Sequence, residues 1–142
     1  MSGPDTVDNG GRAASVARHV VFDWAPALAW MALIYLSSSQ PALPGPPGTP
    51  QDFVIKKSAH LATYAVLAIL SWRALRTHKQ SWFLALLITV IYAVSDEWHQ
   101  SFVPPREAAV RDVLIDAVGG SLGLLALQIW RGHFSAAGRT QG

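Results

Sequence analysis

The sequence predicts an all-α fold, an integral membrane four-helix bundle with both termini cytoplasmic, and three observations carry that prediction. Charged residues make up only 14% of the 142 residues, well below the roughly 25% usual in soluble domains. They are clustered, and the clusters leave four apolar blocks: Val20 to Leu36, Ser58 to Leu75, Trp82 to His99 and Val113 to Trp130. Each block is close to the ~20 residues (range ~17 to 25) that a helix needs to cross a hydrocarbon core about 30 Å thick. The blocks also lack the polar face that a helix of a soluble bundle carries: VLAIL at Val66 to Leu70 and FLALLITVI at Phe83 to Ile91 have no charged position on any side.

The first block follows Arg12 and Arg18 and precedes the small residues Ser37 to Ser39, the flanks of a secretory signal peptide. Its length is that of a full span and no A-x-A cleavage pattern follows, so it is read as a retained helix. Gln40 to Asp52, rich in Pro and Gly, is an extended connection. The second block opens behind Lys56, Lys57 and His60 and ends at the basic connection Arg73 to Lys79. The third ends in Asp96, Glu97 and His99, and the fourth opens behind Asp112 and Asp116. Within the fourth, Gly119 and Gly123 form a small-xxx-small pair that lets a neighbouring helix approach closely. Trp24, Trp72, Trp82, Trp98 and Trp130 lie near block ends, where amphipathic rings favour the membrane interface; Trp30 is internal and breaks that rule. Gly, Ser and Asp enrich Met1 to Gly11, and that end and the tail Ser135 to Gly142 read as disordered. The chain thus divides into a cytoplasmic N-terminus at 1–19, a four-span domain at 20–131 and a cytoplasmic tail at 132–142. The absence of cysteine excludes disulfides and thiolate ligands.

Four spans put both termini on one side, and positive charge selects which side that is. Arg12, Arg18, Arg73, Arg76, Lys79, Arg131 and Arg139 share the terminus side, against Lys56, Lys57, Arg106 and Arg111 opposite. Lys57, His60 and Tyr64 then enter the second span from outside, Asp96 to His99 leave the third outward, and Asp112 and Asp116 enter the fourth. Positions three or four apart share a helix face. The stripes Lys57-His60-Tyr64, Tyr92-Asp96-His99 with Glu97 and Gln100 beside it, and Asp112-Asp116-Gly119-Gly123 therefore predict a polar cup open to the outside, floored by Tyr64, Tyr92 and the glycines. Asp23 is expected to be paired or solvated near Arg18, and His19, His78 and His133 to be exposed in basic flanks.

The ordered set of motifs is specific. SSQ at Ser38 to Gln40, Lys57-x-x-His60-x-x-x-Tyr64, Asp96-Glu97-x-His99-Gln100-x-Phe102, Arg106 followed by Asp112, then Gly119 or Gly120 and Gly123 together resemble the VanZ-like family over about Val20 to Trp130. The resemblance implies a small polytopic protein of the bacterial cytoplasmic membrane, related to a protein associated with resistance to the glycopeptide teicoplanin. The family tends to have Gly where this chain has Pro105, Ser where it has Ala109 and Asn where it has Asp116; the last difference adds an acidic group.

Four chemistries fit the cup. Lys56, Lys57, Arg106 and Arg111 can hold the phosphate of a phospholipid or of an undecaprenyl-phosphate-linked precursor, arginine offering bidentate hydrogen bonds, with Tyr64, Gln100, Asp112 and Asp116 completing the binding surface. A lipoglycopeptide is another amphiphile of the kind. An enzymatic variant makes His60 or His99 a general base oriented by Asp96 or Glu97, acting on a lipid-linked phosphoryl or acyl group; no activated serine or cysteine and no Gly-rich phosphate loop accompanies them. Metal binding by His60, Asp96, His99, Asp112 and Asp116 is weakened by the arginines nearby and by the lack of a two-histidine motif, so no metal or cofactor is expected. The fourth reading is structural: Asp96 or Glu97 with Arg106, and Asp112 with Lys57 or Arg111, form salt bridges that fix the helices. Nothing indicates nucleic-acid recognition, which needs a defined basic module.

Overall fold

The computed structural model describes residues 9–40, 50–104 and 109–137. Four helices make up the chain there: α1 (Asn9–Ser38), α2 (Pro50–Leu75), α3 (Ser81–Gln100) and α4 (Val110–Ala137), with no strand among the described residues. α1 begins inside the stretch read from composition as an irregular terminus, and α4 runs past Arg131. The core of the loop after Gln40, and Arg106 with Glu107, lie outside the described residues.

Among the described residues three stretches are long and apolar enough to cross a membrane: Val20–Ser38, Ser81–Gln100 and Val110–His133. The block expected as a further span, Ser58 to Leu75, forms most of α2 but is not among them. Its position explains why it can be more polar. α2 and α3 each pack against all three other helices, and α2 lies most extensively against α4, whereas α1 touches α2 and α3 but not α4. On the inner face of α2 Tyr64 and Ser71 are buried and Lys57 and His60 half-buried, while Lys56, Ser58 and Arg73 stay exposed.

Burial is inverted relative to a water-soluble bundle. Small residues fill the interior, with Ala27, Ala68, Ala85 and Ala93 fully buried, while Phe83, Ile91 and Leu114 are more than half exposed. Large apolar side chains facing outward beside a small-residue interior are what a hydrocarbon solvent permits. With three apolar helices of spanning length, this makes the chain a membrane protein.

The turn from α2 to α3 is tight, closed by the N–H of His78 on the Leu75 carbonyl (2.8 Å) and that of Ser81 on the His78 carbonyl (3.2 Å). α3 ends in a tightening turn in which Phe102 and Val103 donate to the carbonyls of His99 and Gln100. Pro104 follows, and the residue before a proline is disfavoured from the helical region. One end of the bundle is aromatic and basic: Trp72 and Trp82 lie 5.3 Å apart and the Arg131 guanidinium sits 4.6 Å over Trp72. Asp23 at that end pairs with Arg76 of the α2–α3 turn at 3.1 Å, a partner that proximity in sequence to Arg18 did not indicate. The internal Trp30 is accounted for as well, since its indole N–H donates to the Thr63 carbonyl of α2 at 3.0 Å.

The closest approach is between α4 and α2. A Cβ added to Gly123 would lie 2.6 Å from the carbonyl oxygen and 2.8 Å from the Cα of Ala65, and one added to Gly119 would lie 2.9 Å from the Cα of Leu61. The obstacles are backbone atoms, which cannot rotate away. Gly120 instead faces the methyl of Thr89 on α3 at 3.0 Å. Gly119→Ala or Gly123→Ala should each lower stability by about 1 to 3 kcal/mol, the usual cost of overpacking. Unfolding midpoints in detergent will measure this, with Gly132→Ala, whose added Cβ meets nothing within 4 Å, as the neutral control.

Candidate functional site

Because α2 and α4 run in the same direction at contact distance, residues at helical spacing on one meet residues at helical spacing on the other. Lys57 pairs with Asp112, and one turn deeper His60 Nδ1 lies 3.3 Å from Asp116 Oδ1. The next contacts of the same ladder are Leu61 with Gly119 and Ala65 with Gly123. Three residues of the lysine-histidine stripe are thus used as expected, with the His60 and Tyr64 rings near parallel at 6.4 Å.

α3 closes the cluster from a third side. Asp96, only 4% exposed, accepts at Oδ2 from the Tyr64 hydroxyl (3.1 Å) and from Gln100 Nε2 (2.9 Å). Gln100 also reaches Ser38 Oγ of α1 at 3.3 Å. Buried Glu97 accepts at Oε2 from the backbone N–H of Ala109 at 3.0 Å, which ties α3 to the residue preceding α4. It lies within electrostatic reach of Asp112, Asp116 and His60.

His99 does not join them. Its Nε2 is 3.0 Å from Ser39 Oγ and its ring lies 4.5 Å from that of Tyr35, both at the end of α1. Helical geometry gives the reason: at 3.6 residues per turn, Glu97 and His99 are about 200° apart around the axis. Tyr92 likewise turns toward α1 and donates to the Met31 carbonyl at 2.6 Å, so of the two expected floor tyrosines only Tyr64 lies inside the cluster. The carboxylate that meets His60 is Asp116; Asp96 and Glu97, expected as orienting partners, are engaged by Tyr64, Gln100 and Ala109. Ser38 and Ser39 belong to the polar network at the end of α1, a role their spacing alone did not indicate; a polar doublet closing an apolar block was the available signal.

Arg111 is largely exposed and its Nε lies 3.7 Å from Asp112 Oδ1. Arg106 lies outside the described residues. Three buried carboxylate oxygens, Asp96 Oδ1, Asp112 Oδ1 and Asp116 Oδ2, have no hydrogen-bond partner among the described residues. Among the described residues no three His, Asp or Glu side chains converge as metal ligands. The arrangement can hold an anion at its rim, take hydrogen-bond donors on its inner carboxylates, and exchange a proton at His60. Tyr64→Phe and Gln100→Leu each remove one of two donors to the same Asp96 oxygen and should cost about 1 to 3 kcal/mol singly. The pair should exceed the sum by at least ~0.5 kcal/mol, because the double variant leaves that oxygen bare; additive unfolding midpoints in detergent would show two independent bonds.

No curated protein and no solved structure matches the chain. The family described as VanZ/LLP1 matches residues 22–131, the interval that holds the α2–α4 ladder, both α3 carboxylates and the glycine contacts. With more than half of its length matched, this chain belongs to the VanZ/LLP1 family.

Proposed function

We propose that the cluster receives the phosphate of a lipid headgroup at the outer interface of the bacterial cytoplasmic membrane, in a four-span topology with cytoplasmic termini. The observation that carries this reading is the convergence of Lys57 and Arg111 on the single carboxylate of Asp112. Two cations meet at one rim, and a guanidinium there offers the fork that matches phosphate oxygens. Arg106, next to Glu107, lies in the same short connection. The orientation rests on the excess of Arg and Lys on the terminus side. A phospholipid or an undecaprenyl-phosphate-linked precursor supplies such a group, and holding either would connect the protein to envelope integrity and to glycopeptide susceptibility, including that to teicoplanin. Photo-crosslinking to a phosphate-bearing lipid probe tests it: Arg106→Ala with Arg111→Ala should reduce labelling several-fold, and equal labelling of variant and parent rejects it.

One observation favours an enzymatic second reading. A buried carboxylate on His60 Nδ1 fixes the ring and its tautomer and leaves Nε2 to take or give a proton. In this reading His60 is the general acid-base group for hydrolysis or transfer of a lipid-linked phosphate, with Asp116 orienting it. Purified protein should then release phosphate from a lipid-phosphate panel, and His60→Gln should slow release by about 10²- to 10⁴-fold. No release by the parent at any pH eliminates the enzymatic reading and leaves binding.

A further inference from the structure

A second concavity lies on the other side of Asp96, apart from the ladder. It is a cleft of about 290 Å³ between α1 and α3, walled by Tyr35, Tyr92, Trp98, His99, Phe102 and Asp96. Its volume is at the lower limit of small-ligand pockets, about 300 Å³, which suits a headgroup and is too small for an intact glycopeptide. Tyr35, Trp98 and Phe102 are at least half exposed, and the Trp98 and Phe102 rings meet edge to face at 5.9 Å. They lie at the helix ends, where the membrane interface falls.

The titratable side chains of the wall besides its tyrosines are Asp96 and His99, whose Nε2 is held by Ser39 Oγ. Asp96 is the wall's only carboxylate, it is 4% exposed, and Oδ1 has no hydrogen-bond partner among the described residues. The groups on its other oxygen, Tyr64 and Gln100, are neutral donors, while Lys57 and His60 pair with Asp112 and Asp116. A buried carboxylate facing neutral neighbours favours a cation beside it, and aromatic faces attract the same charge through their ring quadrupoles. A bare oxygen further favours a cation that carries N–H.

We propose that this α1–α3 cleft binds the primary ammonium of a zwitterionic phospholipid headgroup, with Asp96 as the anionic wall and Tyr35, Trp98 and Phe102 as the aromatic one. The lipid source follows from the wall itself, since Tyr35, Trp98 and Phe102 are exposed aromatic side chains of the kind that the membrane interface favours.

Native mass spectrometry of the purified full chain in detergent, offered equal amounts of phosphatidylethanolamine and phosphatidylglycerol, tests this. The parent should retain phosphatidylethanolamine about tenfold over phosphatidylglycerol. Trp98→Leu, at an exposed ring whose loss leaves the helix contacts intact, should bring the ratio close to one, as should Asp96→Asn in protein with a parental unfolding midpoint. Equal retention by the parent, or a preference that survives Trp98→Leu, overturns the proposal. Failure of the phosphate-rim reading is separately visible: Arg111→Ala should lower retention of both lipids together, and an unchanged total would reject the rim while leaving the ratio as the readout for the cleft.

Discussion

The backbone contact of α4 on α2, at Gly119 over Leu61 and Gly123 over Ala65, is the constraint from which the rest of the site follows. In lipid there is no hydrophobic gain from pairing two apolar helices, so packing and hydrogen bonding must hold them together. Glycine at both contact positions allows an approach that any Cβ would block. The same approach fixes register. With the helices parallel and locked at Leu61 and Ala65, the preceding turns place Lys57 on Asp112 and His60 on Asp116. A slide of one residue would turn these carboxylates toward other faces and break both pairs.

The third helix turns that ladder into an enclosed cluster by dividing its polar residues among three neighbours. Glu97 points to the start of α4, Asp96 and Gln100 to α2 and the end of α1, and His99 to α1 alone. This division accounts for the dense acidic end of α3 without requiring that every ionisable group there act on one ligand. The structural salt-bridge reading is realised at Asp112, which meets Lys57 and Arg111; its other half, Asp96 or Glu97 with Arg106, lies outside the described residues. Asp96 and Asp116 each have a second oxygen with no hydrogen-bond partner among the described residues. Buried ion pairs usually contribute little net stability because desolvation offsets attraction, and a carboxylate with a bare oxygen contributes less still. Through their first oxygens the two groups still link α3 to α2 and α4 to α2.

The fold class, the four helical segments and the members of the α2 and α4 stripes were legible in the sequence, because apolar blocks of spanning length and helical spacing act locally. The glycine pair was legible as a packing device for the same reason, although its partners Leu61 and Ala65 were not. Partner choice is a tertiary quantity. Spacing put Asp96, Glu97 and His99 near one stripe, but a helix surface has no fixed front until its neighbours are placed, and α1 proved to take His99 and Tyr92. Asp23 shows the same limit: Arg76, which meets it, comes from the α2–α3 turn, far along the chain. The cleft on α1 and α3 was illegible because Tyr35 reads simply as one aromatic residue in an apolar block until α3 is beside it.

Charge along the site changes sign with depth, and that gradient bears on which part of an amphiphile can sit where. At the rim, the cations Lys57 and Arg111 both meet Asp112. One turn deeper His60 and Asp116 compensate each other when the imidazole is protonated. Below and beside them Asp96 meets only neutral donors. Pairwise Coulomb energies between unit charges 4 Å apart are about 4 kcal/mol at the effective dielectric of a protein surface region, so a phosphate drawn to the rim is opposed by Asp96 if it moves inward. Within the proposed binding reading, this holds an anionic headgroup at the mouth with its chains still in hydrocarbon. On the same reading the rim would select the charge that enters, and the carboxylates behind it would set how far that charge goes.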